Sequence, residues 1–257
     1  MLKEKVIVVT GASSGIGALT AQMLSEKGAI VILAARSMDK LEQVSAGLTG
    51  KFEIMNLDVS DDQSVEETFR TILSKYGRID ILLNNAGYGK FEQMEDMSVQ
   101  EFADMMNVNY MGIVRCTKAV LPSMMKWGSG QVVNIASLAG KIGSAKSTAY
   151  TATKYAVVGF SSALRQEMRP HGITISTVNP GPIDTPFFHL ADPSGAYVKN
   201  VSWFMMKPDK VAREIVSVIE KKKAEVDLPR VAGIGIRLYQ LFPRLAEALS
   251  YNFMNKK

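Results

Sequence analysis

Short apolar runs rich in Val and Ile alternate along the chain with longer stretches in which apolar positions recur every three or four residues. The short runs are typical of buried strands, and the longer stretches are typical of helices with one buried face. The pattern predicts strands at 5–10, 30–34, 52–58, 79–84, 130–136 and 173–179, and helices at 16–27, 40–48, 61–76, 99–126, 150–169 and 207–223. Continuous apolar strands separated by helices indicate a parallel sheet built from βαβ units.

No internal repeat, low-complexity tract or linker interrupts this alternation, so residues 1–257 are predicted to form one domain. Residues 182–207 are the one long segment expected to be irregular, and such loops commonly cover the ligand in α/β proteins. The large side chains there suit either an apolar ligand or the packing of the loop or a subunit contact: Phe187, Phe188, Leu190, Tyr197, Trp203, Phe204, Met205 and Met206.

Cysteine and histidine are scarce. A single cysteine, Cys116, excludes an internal disulfide and suits a reducing compartment. Two well-separated histidines, His171 and His189, do not suggest a metal site. The apolar run 6–9 is too short for a signal-peptide core, and no apolar segment is long enough to span a membrane. We therefore expect a cytoplasmic protein without a bound metal.

The net charge of +5 resides in the last part of the chain, because residues 205–257 hold 11 Lys and Arg against 6 Asp and Glu. A basic tail on a neutral body favours an acidic surface such as a membrane over general nucleic-acid binding. The extension 230–257 also has apolar residues at helical spacing, and Pro243 is expected to kink or divide it: Ile234, Leu238, Leu241, Leu245 and Leu249. Such a helix can lie on an anionic bilayer, or it can cover the core, the pocket or a partner subunit.

A glycine-rich turn follows the first strand. The sequence "VTGASSGIG" places Gly11, Gly15 and Gly17 between a strand and a helix. Glycine permits positive φ and close backbone approach, and exposed N–H groups at a helix start attract phosphate. The turn is therefore interpreted as a phosphate-binding loop, with a plain tight turn as the alternative.

The chain resembles the short-chain dehydrogenase/reductase family through a series of motifs in a shared order: "TGASSGIG" (10–17), "LDV" (57–59), "NNAG" (84–87), "NVNYMG" (107–112), "NIAS" (134–137), "YTATK" (150–154) and "NPGPIDT" (179–185). The resemblance implies an α/β Rossmann-type fold, a doubly wound parallel sheet of about seven strands with helices on both faces. It also implies nicotinamide-dependent carbonyl or alcohol chemistry, and a homodimer or homotetramer formed by pairing the helices that start near Val99 and Tyr150.

The cofactor residues follow from the same motifs. The resemblance implies that Asp58 bonds the adenine amine, that Val59 gives a backbone contact and that Thr185 bonds the carboxamide. The remaining residues implied to contact the cofactor are Gly11, Ser13, Ser14, Gly15, Ile16, Gly17, Asn85, Ala86, Gly87, Tyr150, Lys154, Pro180 and Gly181.

The end of the second strand predicts the choice of nicotinamide. An NAD-binding protein usually has Asp or Glu at this place, whereas here Ala35 is followed by Arg36. Arg36 can bind a 2′-phosphate through charge-assisted hydrogen bonds, and Ser13 and Ser37 can add hydroxyl donors. We predict NADP(H), with a surface arginine as the alternative interpretation of Arg36.

Tyr150 and Lys154 are one helical turn apart and share a helix face. A tyrosine with a pKa of about 10 needs roughly 4 kcal/mol of differential stabilisation to titrate near pH 7, and one cation at about 4 Å supplies that much. Acid–base chemistry by Tyr150 is therefore predicted, although the same spacing also occurs in ordinary surface pairs.

Two further residues join this pair. Ser137 follows the fifth strand, at the edge where ligands bind, and the resemblance implies that it orients the substrate. A helix N-cap is the alternative role for Ser137. The resemblance implies that Asn109 holds a water linking Lys154 to solvent, with an exposed helical asparagine as the alternative.

These expectations define an NADP(H)-dependent oxidoreductase that transfers hydride between nicotinamide and a small-molecule carbonyl or alcohol, with an apolar or lipid-like ketone or aldehyde favoured. A nicotinamide-binding redox sensor or scaffold protein without turnover is the alternative.

Overall fold

The computed structural model describes residues 2–242, and its centre is one parallel sheet of seven strands. The strands are β1 (Val6–Thr10), β2 (Ile30–Ala35), β3 (Phe52–Asn56), β4 (Ile81–Asn84), β5 (Gly130–Ile135), β6 (Ile173–Pro180) and β7 (Glu225–Leu228). Their spatial order is β3-β2-β1-β4-β5-β6-β7. Strands β2 and β3 are added on one side of β1, and β4 to β7 are added on its other side. A crevice therefore forms where the neighbouring strands β1 and β4 end.

Ten α-helices connect the strands within the described residues. They are α1 (Gly15–Glu26), α2 (Met38–Ser45), α3 (Asp62–Tyr76), α4 (Val99–Met106), α5 (Gly112–Trp127), α6 (Thr148–Met168), α7 (Phe187–Ala191), α8 (Ala196–Val201), α9 (Pro208–Lys221) and α10 (Arg230–Leu241). Local chemistry sets several ends: Asp61 caps α3, Gly77 ends it with φ of 72°, and a Ser98–Glu101 capping box starts α4.

Two apolar layers cover the two faces of the sheet, because alternate strand residues point in opposite directions. Val9 and Leu33 pack with Ile215 of α9 on one face. Val8 and Ile32 pack against α3, α5 and α6 on the other face. The doubly wound α/β fold predicted for this chain is thus confirmed.

Several predicted boundaries differ from the structure. The helix predicted at 99–126 is interrupted by a π-helical turn, Asn107–Met111. Strand β3 ends at Asn56 rather than at 58, which leaves Asp58 in the loop after the strand. The hydrophobic pattern located six strands and missed β7, because the sequence Glu225–Leu228 is short and half charged. This strand completes the seven that the family resemblance implies.

The segment 182–207 is less irregular than predicted, since it contains α7, α8 and a short 3₁₀ turn. Its two ends are joined: Met206 N donates to Pro182 O at 2.9 Å, and Asp184 N donates to Met206 O at 3.1 Å. The beginning of the C-terminal extension forms α10, which ends at Leu241. Pro243, Leu245 and Leu249 lie outside the described residues.

Candidate active site

A cavity of about 1100 Å³ opens at the carboxyl ends of the strands, beside the crevice between β1 and β4. Eighteen of the twenty residues predicted for the site line this cavity, although the sequence spreads them over 175 positions. They are Gly11, Ser13, Ser14, Gly15, Ile16, Arg36, Ser37, Asp58, Val59, Asn85, Ala86, Gly87, Ser137, Tyr150, Lys154, Pro180, Gly181 and Thr185. The two that do not line it are Gly17 and Asn109.

The glycine-rich turn has the backbone geometry expected of it. Gly11 and Gly15 have φ of +64° and +57°, a region that residues with a Cβ rarely adopt. A Cβ on Gly17 would lie 2.6 Å from the carbonyl oxygen of Gly11, so Gly17 allows α1 to pack closely on the turn. Gly17 does not line the cavity, so its direct contact with the cofactor stays a prediction.

The loop after β4 is tied to this turn by hydrogen bonds. Asn85 Nδ2 donates to the carbonyl oxygens of Thr10 and Gly11, at 3.0 and 3.1 Å. The Thr10 hydroxyl accepts from the N–H groups of Asn85 and Ala86, at 3.0 and 3.1 Å. Asn85 thus supports the glycine turn as well as lining the cavity, and Thr10 is a supporting residue that sequence reasoning did not identify.

Charged groups lie at one end of the cavity. Arg36 is exposed there, and Lys40 in the first turn of α2 also lines the wall. The sequence analysis did not identify Lys40. Burial pushes the pKa of Asp58 upward, but hydrogen bonds from Ser60 and the nearby Arg36 and Arg115 outweigh burial, so the pKa lies below its usual value.

Tyr150, Lys154 and Ser137 come together at the other end. The Ser137 hydroxyl lies near enough to the Tyr150 phenol to act on its pKa. Lys154 Nζ lies 5.6 Å from the centre of the Tyr150 ring and donates to Ile135 O at 3.0 Å. Ser137 Oγ donates to Pro180 O at 3.2 Å and accepts from Ala139 N at 3.1 Å. Ser137 therefore caps a short 3₁₀ turn, Leu138–Gly140, while its hydroxyl also faces the cavity.

Burial controls the ionisation of this group in the described structure. It raises the pKa of Tyr150 to about 12, against a smaller lowering by the Ser137 hydroxyl, and it lowers the pKa of Lys154 to about 8. The predicted lowering of the tyrosine pKa by Lys154 is therefore wrong for this structure. Burial disfavours the charged form of each side chain, the tyrosinate as well as the ammonium.

Asn109 is fully buried in the π-helical turn, which excludes the exposed-asparagine alternative. Its Oδ1 accepts from Tyr88 N at 2.9 Å, and its Nδ2 donates to Tyr88 O at 2.8 Å and to Thr153 Oγ1 at 3.1 Å. Asn109 thereby joins the loop after β4 to α6, next to Lys154. A π-helical turn within an α-helix often marks a functional position.

Aromatic rings form a wall around Tyr150. The ring centres of Phe91 and Phe187 lie 6.0 and 5.7 Å from that of Tyr150, and Tyr197 lies 5.0 Å from Phe91. Of the large residues predicted at 182–207, five line the cavity and Trp203, Met205 and Met206 do not: Phe187, Phe188, Leu190, Tyr197 and Phe204. Phe91 was missed because nothing local distinguishes it from other loop residues.

Helix α10 supplies the far wall of the cavity through Gly235, Leu238, Tyr239 and Phe242. The extension therefore reaches the protein's own pocket, one of the alternatives left open by the sequence. Large apolar side chains of the segment 182–207 and of residues 230–242 remain exposed, and we call them the apolar rim: Leu190, Trp203, Ile234, Leu238, Leu241 and Phe242, which are 57–74% exposed. Leu190, Leu238 and Phe242 of this set line the cavity.

Two further features of residues 2–242 concern metal binding and membrane spans. Nowhere in this part of the chain do three or more His, Cys, Asp or Glu residues group so that they could hold a metal ion. None of the helices in the same part has both the length and the apolar character needed to cross a membrane.

A parallel sheet whose first strand ends in a glycine-rich turn beside the switch point defines a Rossmann-type dinucleotide-binding protein. The family model for the short chain dehydrogenases matches residues 5–194. The chain belongs to this family of oxidoreductases, as the order of its motifs indicated.

Three known proteins illustrate the relationship. A 3-ketodihydrosphingosine reductase from Bacteroides thetaiotaomicron is 36% identical over 235 residues, which cover 91% of this chain and 83% of the relative. The crystal structure of a short-chain dehydrogenase from Streptomyces avermitilis has a TM-score of 0.84 and 30% identity, covering 97% of both chains. An alcohol dehydrogenase from Thermococcus sibiricus complexed with 5-hydroxy-NADP has a TM-score of 0.78 and 31% identity, covering 88% of this chain and 96% of the other.

Proposed function

We propose that this protein is an NADP(H)-dependent reductase of an apolar or lipid-like ketone or aldehyde. The observation that carries the proposal is the convergence of Ser137, Tyr150 and Lys154 in one cavity with the glycine-rich turn. A nicotinamide bound along this cavity would supply the hydride. The aromatic wall and α10 would hold the apolar part of the substrate.

The chain's own residues would handle the carbonyl oxygen. A Tyr150 phenol with a pKa raised to about 12 stays protonated at neutral pH, so it can donate a proton to an oxygen that gains negative charge. The Ser137 hydroxyl would stabilise the same oxygen, in competition with its present acceptor, Pro180 O.

The residues present fit the 2′-phosphate of NADP(H). Arg36 and Lys40 put two cations at the same end of the cavity, and the hydroxyls of Ser13 and Ser37 line the wall there. The 5-hydroxy-NADP in the Thermococcus sibiricus relative is consistent with this preference. Arg36→Ala should raise the KM for NADPH about 10-fold or more, the effect of losing a charge-assisted contact, and leave the KM for NADH nearly unchanged. Equal changes for the two cofactors would contradict the role of Arg36.

The substrate class is tested by following NADPH oxidation with a panel of ketones, aldehydes, quinones and 3-oxoacyl thioesters that vary in chain length. We expect kcat/KM to rise with the length of the apolar chain, because each buried methylene contributes about 0.8 kcal/mol. Uniform turnover of short polar carbonyls would contradict the apolar class. Tight NADPH binding with no turnover of any compound would favour the redox-sensing or scaffold alternative.

The proposal includes a peripheral contact with membranes. Its support is the exposed apolar rim, three of whose residues line the cavity, together with the positive charge of residues 205–257. Co-sedimentation with vesicles of anionic and of zwitterionic lipid tests it, with more protein expected on the anionic vesicles. Equal recovery in the supernatant with and without vesicles would end this part of the proposal.

A further inference from the structure

A half-buried ionic cluster lies behind the catalytic wall, outside the cavity itself. Lys141 Nζ donates to Asp227 Oδ1 at 2.5 Å and to Glu225 Oε1 at 2.6 Å. Asn179 Nδ2 donates to the same two oxygens, at 2.8 and 2.9 Å. The side chains of Lys141 and Asp227 are 13% and 16% exposed, that of Glu225 is 36% exposed, and Asn179 is fully buried. Two donors thus share two carboxylates that belong to β7, the edge strand.

The cluster is connected to Ser137 by a very short path. Lys141 comes directly after the 3₁₀ turn that Ser137 caps, and its N–H donates to Leu138 O at 2.9 Å. Gly140 in this turn packs so closely on α6 that a Cβ there would lie 2.5 Å from the carbonyl oxygen of Lys154. The turn therefore lies between α6, which carries Tyr150, and the carboxylates that bind Lys141.

The ionic cluster is also connected to Pro180, whose carbonyl oxygen accepts the hydrogen bond from Ser137. Asn179 is paired with Asp227 in the β6–β7 ladder, and the next residue is Pro180. The same two carboxylates thus hold the turn that carries Ser137 and the strand end that accepts its hydroxyl. Moving Lys141 would shift the Ser137 turn relative to the end of β6.

We infer that Lys141 is a positioning residue, which fixes the Ser137 hydroxyl relative to Tyr150 through its ion pairs with Asp227 and Glu225. The inference rests on the proposed function for its kinetic consequence. Lys141 touches neither the cavity nor the predicted reacting atoms. Its effect would come from geometry, and a displacement of about 1 Å can reduce a rate about 100-fold.

The competing interpretation is an ion pair that serves stability alone. Lys5 offers a control from another ion pair, because it binds the carboxylate of Asp80 at 3.0 Å where the strands begin, and Arg78 binds the same carboxylate. Replacing either lysine with methionine leaves a carboxylate of low exposure with one cation fewer, which destabilises the fold. Only Lys141→Met should also affect catalysis.

The kinetic experiment measures kcat, KM and NADPH affinity for Lys141→Met, Lys141→Arg and Lys5→Met. We expect Lys141→Met to lower kcat about 10- to 100-fold with NADPH affinity within about twofold, the pattern of a displaced reacting group. Lys141→Arg should restore most of the activity, and Lys5→Met should retain all of it. If Lys141→Met does not fold, Asp227→Asn removes the same charge pair and should give the same loss. Unchanged kcat with a lowered Tm would overturn the inference.

A double-mutant cycle tests the path through Ser137. In a Ser137→Ala background, Lys141→Met should have little further effect on kcat, because the group it positions is already absent. Losses that multiply fully would show that Lys141 acts elsewhere and would overturn the inference.

Hydrogen exchange provides a readout that needs no turnover. The amides of Ala139, Gly140 and Lys141 are bonded within the Ser137 turn, and they should exchange faster in Lys141→Met than in the wild type and in Lys5→Met. If the wild type reduces no carbonyl in the panel, the proposed function fails, yet faster exchange confined to this turn still supports the positioning role. Unchanged exchange overturns it in either case.

Discussion

Tyr150 carries the clearest prediction at the scale of single residues. Replacing Tyr150 with Phe removes the proton donor and keeps the ring that packs against Phe91 and Phe187. We expect kcat to fall about 10²- to 10⁴-fold, the usual contribution of a general acid, with NADPH affinity nearly intact. Steady-state kinetics and fluorescence titration with NADPH measure the two effects. Retained turnover would remove Tyr150 from the mechanism.

Lys154 predicts a dependence of stability on pH. Burial lowers its pKa to about 8 from about 10.5, so the unfolded chain binds its proton more tightly than the folded protein does. The cost of the buried charge is present below pH 8 and is relieved as the pH rises from about 8 to 10.5, by up to ~3 kcal/mol. Above about pH 10, the raised pKa of Tyr150 acts in the opposite direction.

Urea unfolding of the wild type and of Lys154→Met at pH 7.5 and 9.5 checks this. Relative to Lys154→Met, the free energy of unfolding of the wild type should increase between the two pH values. An equal change in the free energy of unfolding for the two proteins would show that the site of Lys154 does not disfavour its charged form.

Residue type and spacing predicted catalytic roles for Tyr150, Lys154 and Ser137, and the structure brings these three residues to one cavity. Sequence reasoning failed for the direction of the Tyr150 pKa, because the balance between burial and a nearby cation depends on a three-dimensional surrounding. Gly17 and Asn109 were found as important positions, but the structure places them as supports behind the cavity wall.

At the scale of elements, helix α10 is where two roles of the C-terminal extension, lining the pocket and contacting a membrane, can be separated. Leu238 lines the cavity, whereas Leu241, one turn further along, does not and is 70% exposed. Leu238→Asp should raise the KM for a long-chain ketone in detergent-free solution about 10-fold or more, since it puts a charge against the apolar part of the bound ketone. Leu241→Asp should leave that KM unchanged.

Vesicle binding by the same two variants tests the membrane contact independently of the pocket. Both residues belong to the apolar rim, so both substitutions should weaken co-sedimentation with anionic vesicles. Full vesicle binding by both variants would contradict the membrane contact, and an unchanged KM for Leu238→Asp would contradict the role of α10 in the pocket.

The elements themselves were predictable where their pattern is long and periodic. Helix α3 has both a cap and a terminal glycine, and it was located to within a residue at its start. Strand β7 was missed, because its four residues acquire their role only through the ladder with β6. The π-helical turn was not predicted from the sequence either, since the residues at 107–111 have no distinctive helix propensity. The turn depends on packing around Asn109.

The assembly of several copies belongs to the scale of the whole molecule. Helix α6 directs Ala152, Tyr155 and Gly159 to the surface, and small residues around an exposed aromatic ring are suited to close helix packing. We predict that α6 pairs with its copy in a homodimer or homotetramer. Gly159→Arg should therefore yield monomers by size-exclusion chromatography with light scattering, whereas Glu66→Arg, on the exposed face of α3, should not. A monomeric wild type would contradict this prediction.

At the same scale, the amino-acid sequence by itself determined the fold class, the order of the motifs and the residue types at the cavity. These depend on periodicity and on local chemistry, which a chain carries along its length. Only the tertiary structure decided which aromatic rings surround Tyr150, that α10 closes the cavity and that Lys141, Asn179 and Asp227 share one ionic cluster. The pair Lys141 and Asp227, for example, joins residues 86 positions apart. Such contacts arise from strand order and packing, which no local pattern encodes.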